Sequence, residues 1–173
     1  MRRILGIDPG IRTTGYGILQ QNDEGEKVIA WGTLSPPRGQ NLYQRLVYLY
    51  DGITQIILEH RPSEMAIEEA FFSKNARTAL TLGQARGVVL LAAAHQNIDC
   101  FEYSPRKIKL AVVGNGNASK TQVQYMVKSL LSLGDSSTGT AIPSGPKSFD
   151  VTDALATALC HINQNRESGW RRR

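Results

Sequence analysis

The stretch ILGIDPG, from Ile4 to Gly10, is an apolar run that ends in a carboxylate and then turns at once. Its first four residues are typical of a buried strand. On the simplest interpretation Asp8 only opens a turn, because Pro9 presets φ and Gly10 can adopt positive φ. The alternative is that the strand delivers Asp8 to a cleft at the edge of a sheet. That alternative requires further acids at the same edge.

The residues around this strand predict a mixed α/β fold. Periodicity, composition and turn signals predict strands over residues 2–8, 14–21, 27–34, 63–71 and 98–103. They predict helices over residues 41–60, 76–96, 105–113, 119–133 and 149–164. A loop rich in Gly, Ser, Thr and Pro, from Asp135 to Ser148, separates the last two helices. Three neighbouring strands followed by alternating helices and strands indicate a partly antiparallel sheet with helices packed against it.

Length and composition predict one domain in a reducing compartment. A chain of 173 residues is long enough for one well-cored domain, which we place at residues 1–165, with a disordered basic tail at 166–173. No apolar run reaches the roughly 18 residues of a membrane span, and the N-terminus lacks a secretory signal, so we expect a cytoplasmic protein. Cys100 and Cys160 lack the spacing of a zinc site or a disulfide framework.

The basic charge is unevenly distributed along the chain. The formal net charge is +5, but residues 71–128 carry eight Lys or Arg against two acids. If four acids were neutralised in a metal site, the remaining charge would be 20 − 11 = +9, which suits a polyanionic partner. Charge alone does not separate such a partner from an ordinary solvated surface.

Further acids lie where the predicted elements begin or end. Glu68 and Glu69 end the fourth strand, and alternation points them to opposite faces, so at most one can join Asp8. Alternation does not say which. Asp150 and Asp153 begin the last helix, roughly 60° apart around its axis. Either aspartate could be only a helix cap.

Convergence of these acids would create a metal site. Like charges that lie close together cannot all ionise without a cation. Carboxylates without His or Cys partners favour Mg²⁺, with Mn²⁺ as a substitute, over zinc. Two such ions sharing Asp8 are a known arrangement for phosphodiester cleavage, and four carboxylates balance their formal charge.

Four motifs in this order resemble the RuvC family of bacterial Holliday junction resolvases. They are LGIDPGIRTTGYG, AIEEAFFSKNARTALTLGQARG, EYSPRKIKLAVVGNGNASKTQVQ and DVTDALATA, and the likeness covers nearly the whole chain. The resemblance implies an RNase H-like fold, with a five-stranded mixed sheet of three antiparallel and then two parallel strands, flanked by helices on both faces. It also assigns the catalytic and metal-binding acids to Asp8, Glu68, Asp150 and Asp153, which selects Glu68 over Glu69.

The same resemblance implies an activity and partners. We expect a homodimer that makes paired symmetric nicks in four-way DNA junctions by two-metal-ion hydrolysis with Mg²⁺, leaving 5′-phosphate and 3′-hydroxyl ends. Its role would be in homologous recombination and DNA repair, in association with the RuvA–RuvB branch-migration complex.

Several residues are predicted to contact DNA. Phe71 matches the family's aromatic residue that stacks on unpaired bases, and Lys109 and Lys120 match its basic residues near the scissile phosphate. The other expected contacts are Phe72, Lys74, Arg77, Arg106 and Lys107.

The glycine-rich segments allow more than one interpretation, and the histidines suggest no site. The segment GNGNASK lacks the GxxxxGK spacing of a phosphate loop, and either binds a phosphate through its amides or simply turns before a cap at Asn117. Gly83 and Gly87 permit close backbone approach, either to DNA or to a second helix, and the apolar helix around them is the predicted dimer interface. The histidines show no ligand spacing and receive no catalytic role; they are His60, His95 and His161.

Three rival functions remain at this point. The segment GIDPGIRTTGYG also resembles the phosphate loop of actin-like ATPases, but that fold needs two related lobes and a longer chain. A non-catalytic junction-binding protein would have no use for four acids. An RNase H acting on RNA–DNA hybrids would differ in its substrate.

Overall fold

The computed structural model describes residues 1–23, 25–69, 75–133 and 147–170. The five strands are β1 (Arg2–Asp8), β2 (Thr14–Asn22), β3 (Gly25–Leu34), β4 (Glu64–Glu68) and β5 (Asp99–Tyr103). The helices are α1 (Leu42–His60), α2 (Ala76–His95), α3 (Pro105–Val113), α4 (Lys120–Leu130) and α5 (Lys147–Trp170). Their order confirms the predicted succession of strands and helices.

The strands form one mixed sheet in the order β3-β2-β1-β4-β5. The first three strands are antiparallel, while β4 pairs in parallel with both β1 and β5. This arrangement confirms the predicted sheet of three antiparallel and two parallel strands. Ile7 lies opposite Ile67 in the β1–β4 register, so the next residues, Asp8 and Glu68, end their strands at the same edge.

Apolar residues cover both faces of the sheet. Alternation along β1 sends Ile4 into a core that includes α3, α4 and α5, and Leu5 into a second core formed with α1 and α2. The prediction of helices on both faces is therefore confirmed. None of the helices in the described parts of the chain combines the length and the apolar character needed to cross a membrane. Neither Cys100 nor Cys160 forms a disulfide.

Local capping determines where the helices begin. Asn41 closes a capping box with Gln44 at the start of α1, and Asn75 accepts two backbone hydrogen bonds at the start of α2. The suggested cap at Asn117 is wrong: Ser119 caps α4 in a reciprocal box with Gln122. The box places a hydroxyl acceptor at the third backbone amide of the helix, which Asn117 lies too far upstream to reach.

Helix α5 is longer at both ends than its predicted span. It begins at Lys147, so Ser148 belongs to the helix, where it is buried and accepts a hydrogen bond of 2.8 Å from Gln124. Residues 134–146 of the predicted loop lie outside the described residues. The backbone remains helical up to Trp170, whereas the sequence suggests a disordered tail from residue 166.

Candidate active site

The acidic edge of the sheet is assembled by the close packing of α5 against β1 and β2. A Cβ atom at Gly15 would lie 2.0 Å from the carbonyl oxygen of Asp150, and one at Gly6 would lie 2.1 Å from that of Ala154. Only glycine leaves room for the helix backbone at these two positions. The close approach brings the first turn of α5, with Asp150 and Asp153, to the edge where β1 and β4 end.

The structure brings the four predicted acids into one electrostatic cluster. Burial, followed by the charges of Glu68, Asp153 and Asp150, raises the pKa of Asp8 well above its ordinary value. Burial and then the charge of Asp153 raise the pKa of Glu68 to about 7. The other three carboxylates therefore oppose the ionisation of Asp8, as expected where acids gather to hold a cation.

A lysine from α4 supplies the nearest positive charge. Lys120 Nζ donates a hydrogen bond of 2.9 Å to Asp153 Oδ2, and this bond raises the pKa of Lys120. Asp8 and Glu68 act on Lys120 in the same direction. A cavity of about 140 Å³ next to this pair is lined by Glu68, Lys109, Lys120 and Asp153. Acids and lysines thus face the same space.

The acid cluster fits a hard divalent cation by its chemistry. Among the residues that the structure describes, no three Asp, Glu, His or Cys side chains already form a ligand set. All the donors in the cluster are nevertheless carboxylate oxygens, the ligands that Mg²⁺ and Mn²⁺ prefer. The Lys120 ammonium group already occupies one of these carboxylates as an internal cation. A metal would therefore meet an acidic edge that Lys120 already neutralises in part.

Glu69 lies apart from this cluster. Its backbone N–H donates to the Tyr103 carbonyl at 2.9 Å, and its charge raises the pKa of Arg86 on α2, after the larger effect of Glu102. Arg86 itself holds Glu102 through a two-pronged ion pair with bonds of 2.6 and 2.7 Å. Strand alternation thus sends Glu68 to the acid cluster and Glu69 towards α2.

The predicted DNA contacts are distributed around the same edge. Arg106 and Lys107 are exposed on α3, and the Lys107 ammonium lies 5.1 Å from the centroid of the Tyr103 ring. Lys109 is partly buried at the cavity beside Glu68. Arg77 is exposed in the first turn of α2. Three of the predicted contacts lie outside the described residues: Phe71, Phe72 and Lys74.

The structure also identifies polar residues that the sequence interpretation missed. Arg12, in the turn after β1, lines a cavity together with Arg77 and Asp150. A basic residue directly after the strand that carries Asp8 is the sequence signal that could have singled it out. His161 is fully buried at the far end of the sheet, where its ring contacts Glu64 and Tyr103. Its burial depends on long-range packing and leaves no local signal.

The glycines of α2 face open space within this chain. Among the residues that the structure describes, none has an atom within 4 Å of a Cβ added at Gly83 or Gly87. On the same helix Leu80 is 70% exposed and Leu91 is 48% exposed. The predicted dimer helix therefore leaves part of its apolar surface uncovered.

Comparison with known proteins places the chain in a family. The family described as Crossover junction endodeoxyribonuclease RuvC matches residues 4–161. The RuvC protein of Caldicellulosiruptor saccharolyticus is 46% identical over 161 residues, covering 92% of each chain. That of Pelotomaculum thermopropionicum is 47% identical over 160 residues, again covering 92% of each. The structure of Thermus thermophilus RuvC in complex with a Holliday junction substrate superimposes with a TM-score of 0.83 at 27% identity, covering 97% of both chains. On this basis the chain belongs to the RuvC family of crossover junction endodeoxyribonucleases.

Proposed function

We propose that this protein resolves four-way DNA junctions by metal-dependent hydrolysis of phosphodiester bonds, making paired symmetric nicks. The convergence of Asp8, Glu68, Asp150 and Asp153 at one edge of the sheet carries this proposal. A protein that only bound junctions would gain nothing from four acids that oppose one another's ionisation and repel a DNA backbone.

The carboxylate cluster would hold two Mg²⁺ ions, with Mn²⁺ as a substitute. When bound, such ions lower the pKa of an attacking water and neutralise the charge that develops on the leaving oxygen. Asp8 lies at the centre of the cluster, since Glu68, Asp150 and Asp153 all raise its pKa. We therefore assign Asp8 as the ligand shared by both ions.

The lysines would bind the phosphate beside the acids. Lys109 and Lys120 line the same cavity as Glu68 and Asp153. A phosphate in this cavity would therefore contact the lysines on one side and the metal ions held by the acids on the other. Binding a metal would free Lys120 from Asp153 and allow its ammonium group to pair with the DNA instead. Arg106 and Lys107 would extend the basic surface along α3, and Phe71, Phe72, Lys74 and Arg77 remain predicted DNA contacts.

We infer that the active form is a homodimer built on α2. Exposed Leu80 and Leu91, with open space at Gly83 and Gly87, would allow two copies of this helix to pack closely. A two-fold dimer suits a junction of nearly two-fold symmetry, because it places two active sites on opposed strands. We also infer action in the cytoplasm during recombination and repair, with the RuvA–RuvB complex as the branch-migration partner.

A synthetic four-way junction incubated with and without Mg²⁺ tests substrate, chemistry and cofactor together. We expect Mg²⁺-dependent nicks at symmetric positions in two opposed strands, with 5′-phosphate and 3′-hydroxyl ends that a DNA ligase reseals. An excess of linear duplex or of an RNA–DNA hybrid should compete poorly. Binding without nicking at any Mg²⁺ concentration would identify a non-catalytic junction-binding protein, and preferential cutting of the hybrid would identify an RNase H.

A further inference from the structure

An open cavity of about 570 Å³ lies between the β1–β2 turn and the first turns of α2 and α5. Side chains from all three elements line it, among them Arg12, Thr13, Arg77, Thr78, Thr81 and Asp150. Asp150 connects it to the active site, because the same carboxylate adds to the charge that raises the pKa of Asp8. The cavity is distinct from the one beside Glu68 and Lys120, and the two share no lining residue.

Two guanidinium groups give this cavity its chemistry. Arg12 and Arg77 are both exposed, and no ion pair between residues that the structure describes involves either of them. Arg2 and Arg86, in contrast, are each held by a glutamate. A guanidinium presents a planar fork of donors that matches a phosphate with two parallel hydrogen bonds. The two free arginines are therefore available to an anion.

The other polar groups of the cavity indicate which kind of anion it could bind. Asn75 Oδ1 already accepts the backbone N–H groups of Arg77 and Thr78, so an anion here would depend on side chains instead of these helix amides. Asp150 brings one negative charge against two positive ones. The three charged side chains therefore sum to one net positive charge, which suits a singly charged phosphodiester better than a ligand with several carboxylates. DNA supplies such diesters at regular intervals next to the one being cut.

We propose that Arg12 and Arg77 form a second phosphate-binding site, which holds a backbone phosphate of the cleaved strand close to the scissile one. This inference rests on the proposed nuclease function. A strand whose scissile phosphate lies at the acids, beside Lys109 and Lys120, would continue past Asp150 to the Arg12–Arg77 cavity. Because phosphate contacts set the position of a protein along DNA, this site would determine which bond faces the acids.

The first measurement compares junction binding by the wild type and by Arg12→Ala, Arg77→Ala and the double variant, with Ca²⁺ replacing Mg²⁺. We expect each single variant to bind about ten-fold more weakly. For the double variant we expect a salt dependence shallower by about one unit. Lys27→Ala is the matched control, since Lys27 is exposed on β3 at the opposite end of the sheet and should bind as the wild type does. Unchanged affinity in the double variant, with an unchanged melting temperature, would overturn the inference.

The second measurement locates the contacted phosphate. Single neutral methylphosphonate linkages are introduced along the cleaved strand of the synthetic junction, and binding is measured for the wild type and the double variant. At one linkage near the cut, the substitution should weaken the wild type about ten-fold and leave the double variant unaffected. Equal losses in both proteins at every linkage would contradict a direct contact.

Cleavage mapping separates failure of this inference from failure of the proposed function. With Mg²⁺ the double variant should cut at additional neighbouring bonds. Compared with Arg77→Ala, Arg77→Lys should recover part of the affinity but less of the cutting precision, because lysine keeps the charge and lacks the planar fork of donors. If the wild type cuts and the double variant cuts at the same bonds with the same affinity, only the second phosphate site is wrong. If the wild type neither binds nor cuts the junction, the nuclease proposal itself fails.

Discussion

At the residue scale, Asp8 is the group through which the proposed metal site is most directly tested. Its charge interacts with those of Glu68, Asp150 and Asp153 at once, so its replacement changes the whole cluster. Lys109 and Lys120 line the cavity beside the acids, and replacing Asp8 alone leaves both lysines in place. Chemistry and DNA binding should therefore separate when only Asp8 is changed.

Asp8→Asn should lower Mg²⁺-dependent junction cleavage by more than about 100-fold, since loss of a direct ligand should exceed the 10–100-fold cost of losing an outer-shell partner. Junction binding should be unchanged or tighter, because one negative charge near the DNA is removed. Gel-based cleavage and fluorescence anisotropy measure the two effects. Asp23→Asn is the control, because Asp23 is exposed beyond the far end of β2. Cleavage by Asp8→Asn at a rate near that of the wild type would show that the metal assignment is wrong.

Glu68 gives the metal-free protein a defined pH dependence. Its pKa is raised from 4.5 to about 7, so its contribution to stability is fully present below pH 4.5 and is lost as the pH rises through 7. The loss is at most about 3 kcal/mol at pH 8. In EDTA, Glu68→Gln should therefore raise the melting temperature at pH 8 and change it little at pH 4.5. An equal effect at both pH values would mean that Glu68 is not electrostatically strained.

At the element scale, the packing of α5 against β1 and β2 positions the acids. Two glycines, Gly6 and Gly15, provide the space for the helix backbone. Gly6 lies in LGID and Gly15 in TGYG, two parts of the stretch that also resembles an ATPase phosphate loop. In this fold the two glycines instead make room for a helix. The position of Asp150 and Asp153 therefore depends on side-chain size in strands that are distant in sequence.

Gly15→Ala should displace the first turn of α5, because the new Cβ would lie 2.0 Å from the Asp150 carbonyl oxygen. We expect a loss of about 1–3 kcal/mol in unfolding free energy, as for other overpacked positions. Cleavage should fall by more than the junction affinity, since the acids move and the basic surface does not. Urea denaturation, cleavage rate and binding measure these three effects. Wild-type cleavage in a folded variant would show that the close approach does not position the acids.

At the scale of the whole molecule, the two ends of the sheet respond oppositely to pH. The far end holds a buried polar network in which Arg2 donates to Glu64 at 2.8 Å and the Tyr103 hydroxyl lies 2.6 Å from His161 Nδ1. Burial raises the pKa of Glu64, but hydrogen bonds from Arg2 and His161 outweigh it, so the pKa is lowered overall. Burial also lowers the pKa of His161. This network joins β1, β4, β5 and α5, and Tyr103 connects it to the edge of the sheet where Glu68 ends β4.

The network should weaken in acid. Because the pKa of Glu64 is lowered, its contribution to stability is present above pH 4.5 and is lost as the pH falls through the folded value. Because burial lowers the pKa of His161, its contribution is likewise present above pH 6.5 and is lost as the pH falls through the folded value. Glu64→Gln should thus lower the melting temperature strongly at pH 7 and much less near pH 4. Glu59→Gln, at a side chain 65% exposed, is the control and should have little effect. A pH-independent loss in Glu64→Gln would leave only a packing role for the network.

Assembly is the second property of the whole molecule that can be tested. Gly83→Leu adds a bulky side chain where the isolated chain has open space, so the monomer should stay folded. If α2 forms the dimer interface, sedimentation equilibrium should show dissociation, and the variant should lose the pairing of its two nicks. A variant that remains dimeric would exclude this face of α2 as the interface.

Residue patterns alone predicted most of the fold, because periodicity, capping and turn chemistry are local properties. They placed Asp8 and a glutamate of the Glu68–Glu69 pair at the ends of two predicted strands, and two aspartates at the start of the last helix. The family resemblance, carried by four ordered motifs, selected Glu68. The roles of Phe71, Phe72 and Lys74 remain predictions from sequence.

What the sequence by itself determined was therefore the order of the elements and which of them begin or end in acids. Only the tertiary structure decided that Glu69 faces Arg86, that Lys120 pairs with Asp153, that Arg12 joins Arg77 and that His161 is buried at the far end of the sheet. Each of these contacts joins residues far apart along the chain. Local patterns do not encode them, because they arise from how the helices pack on the finished sheet.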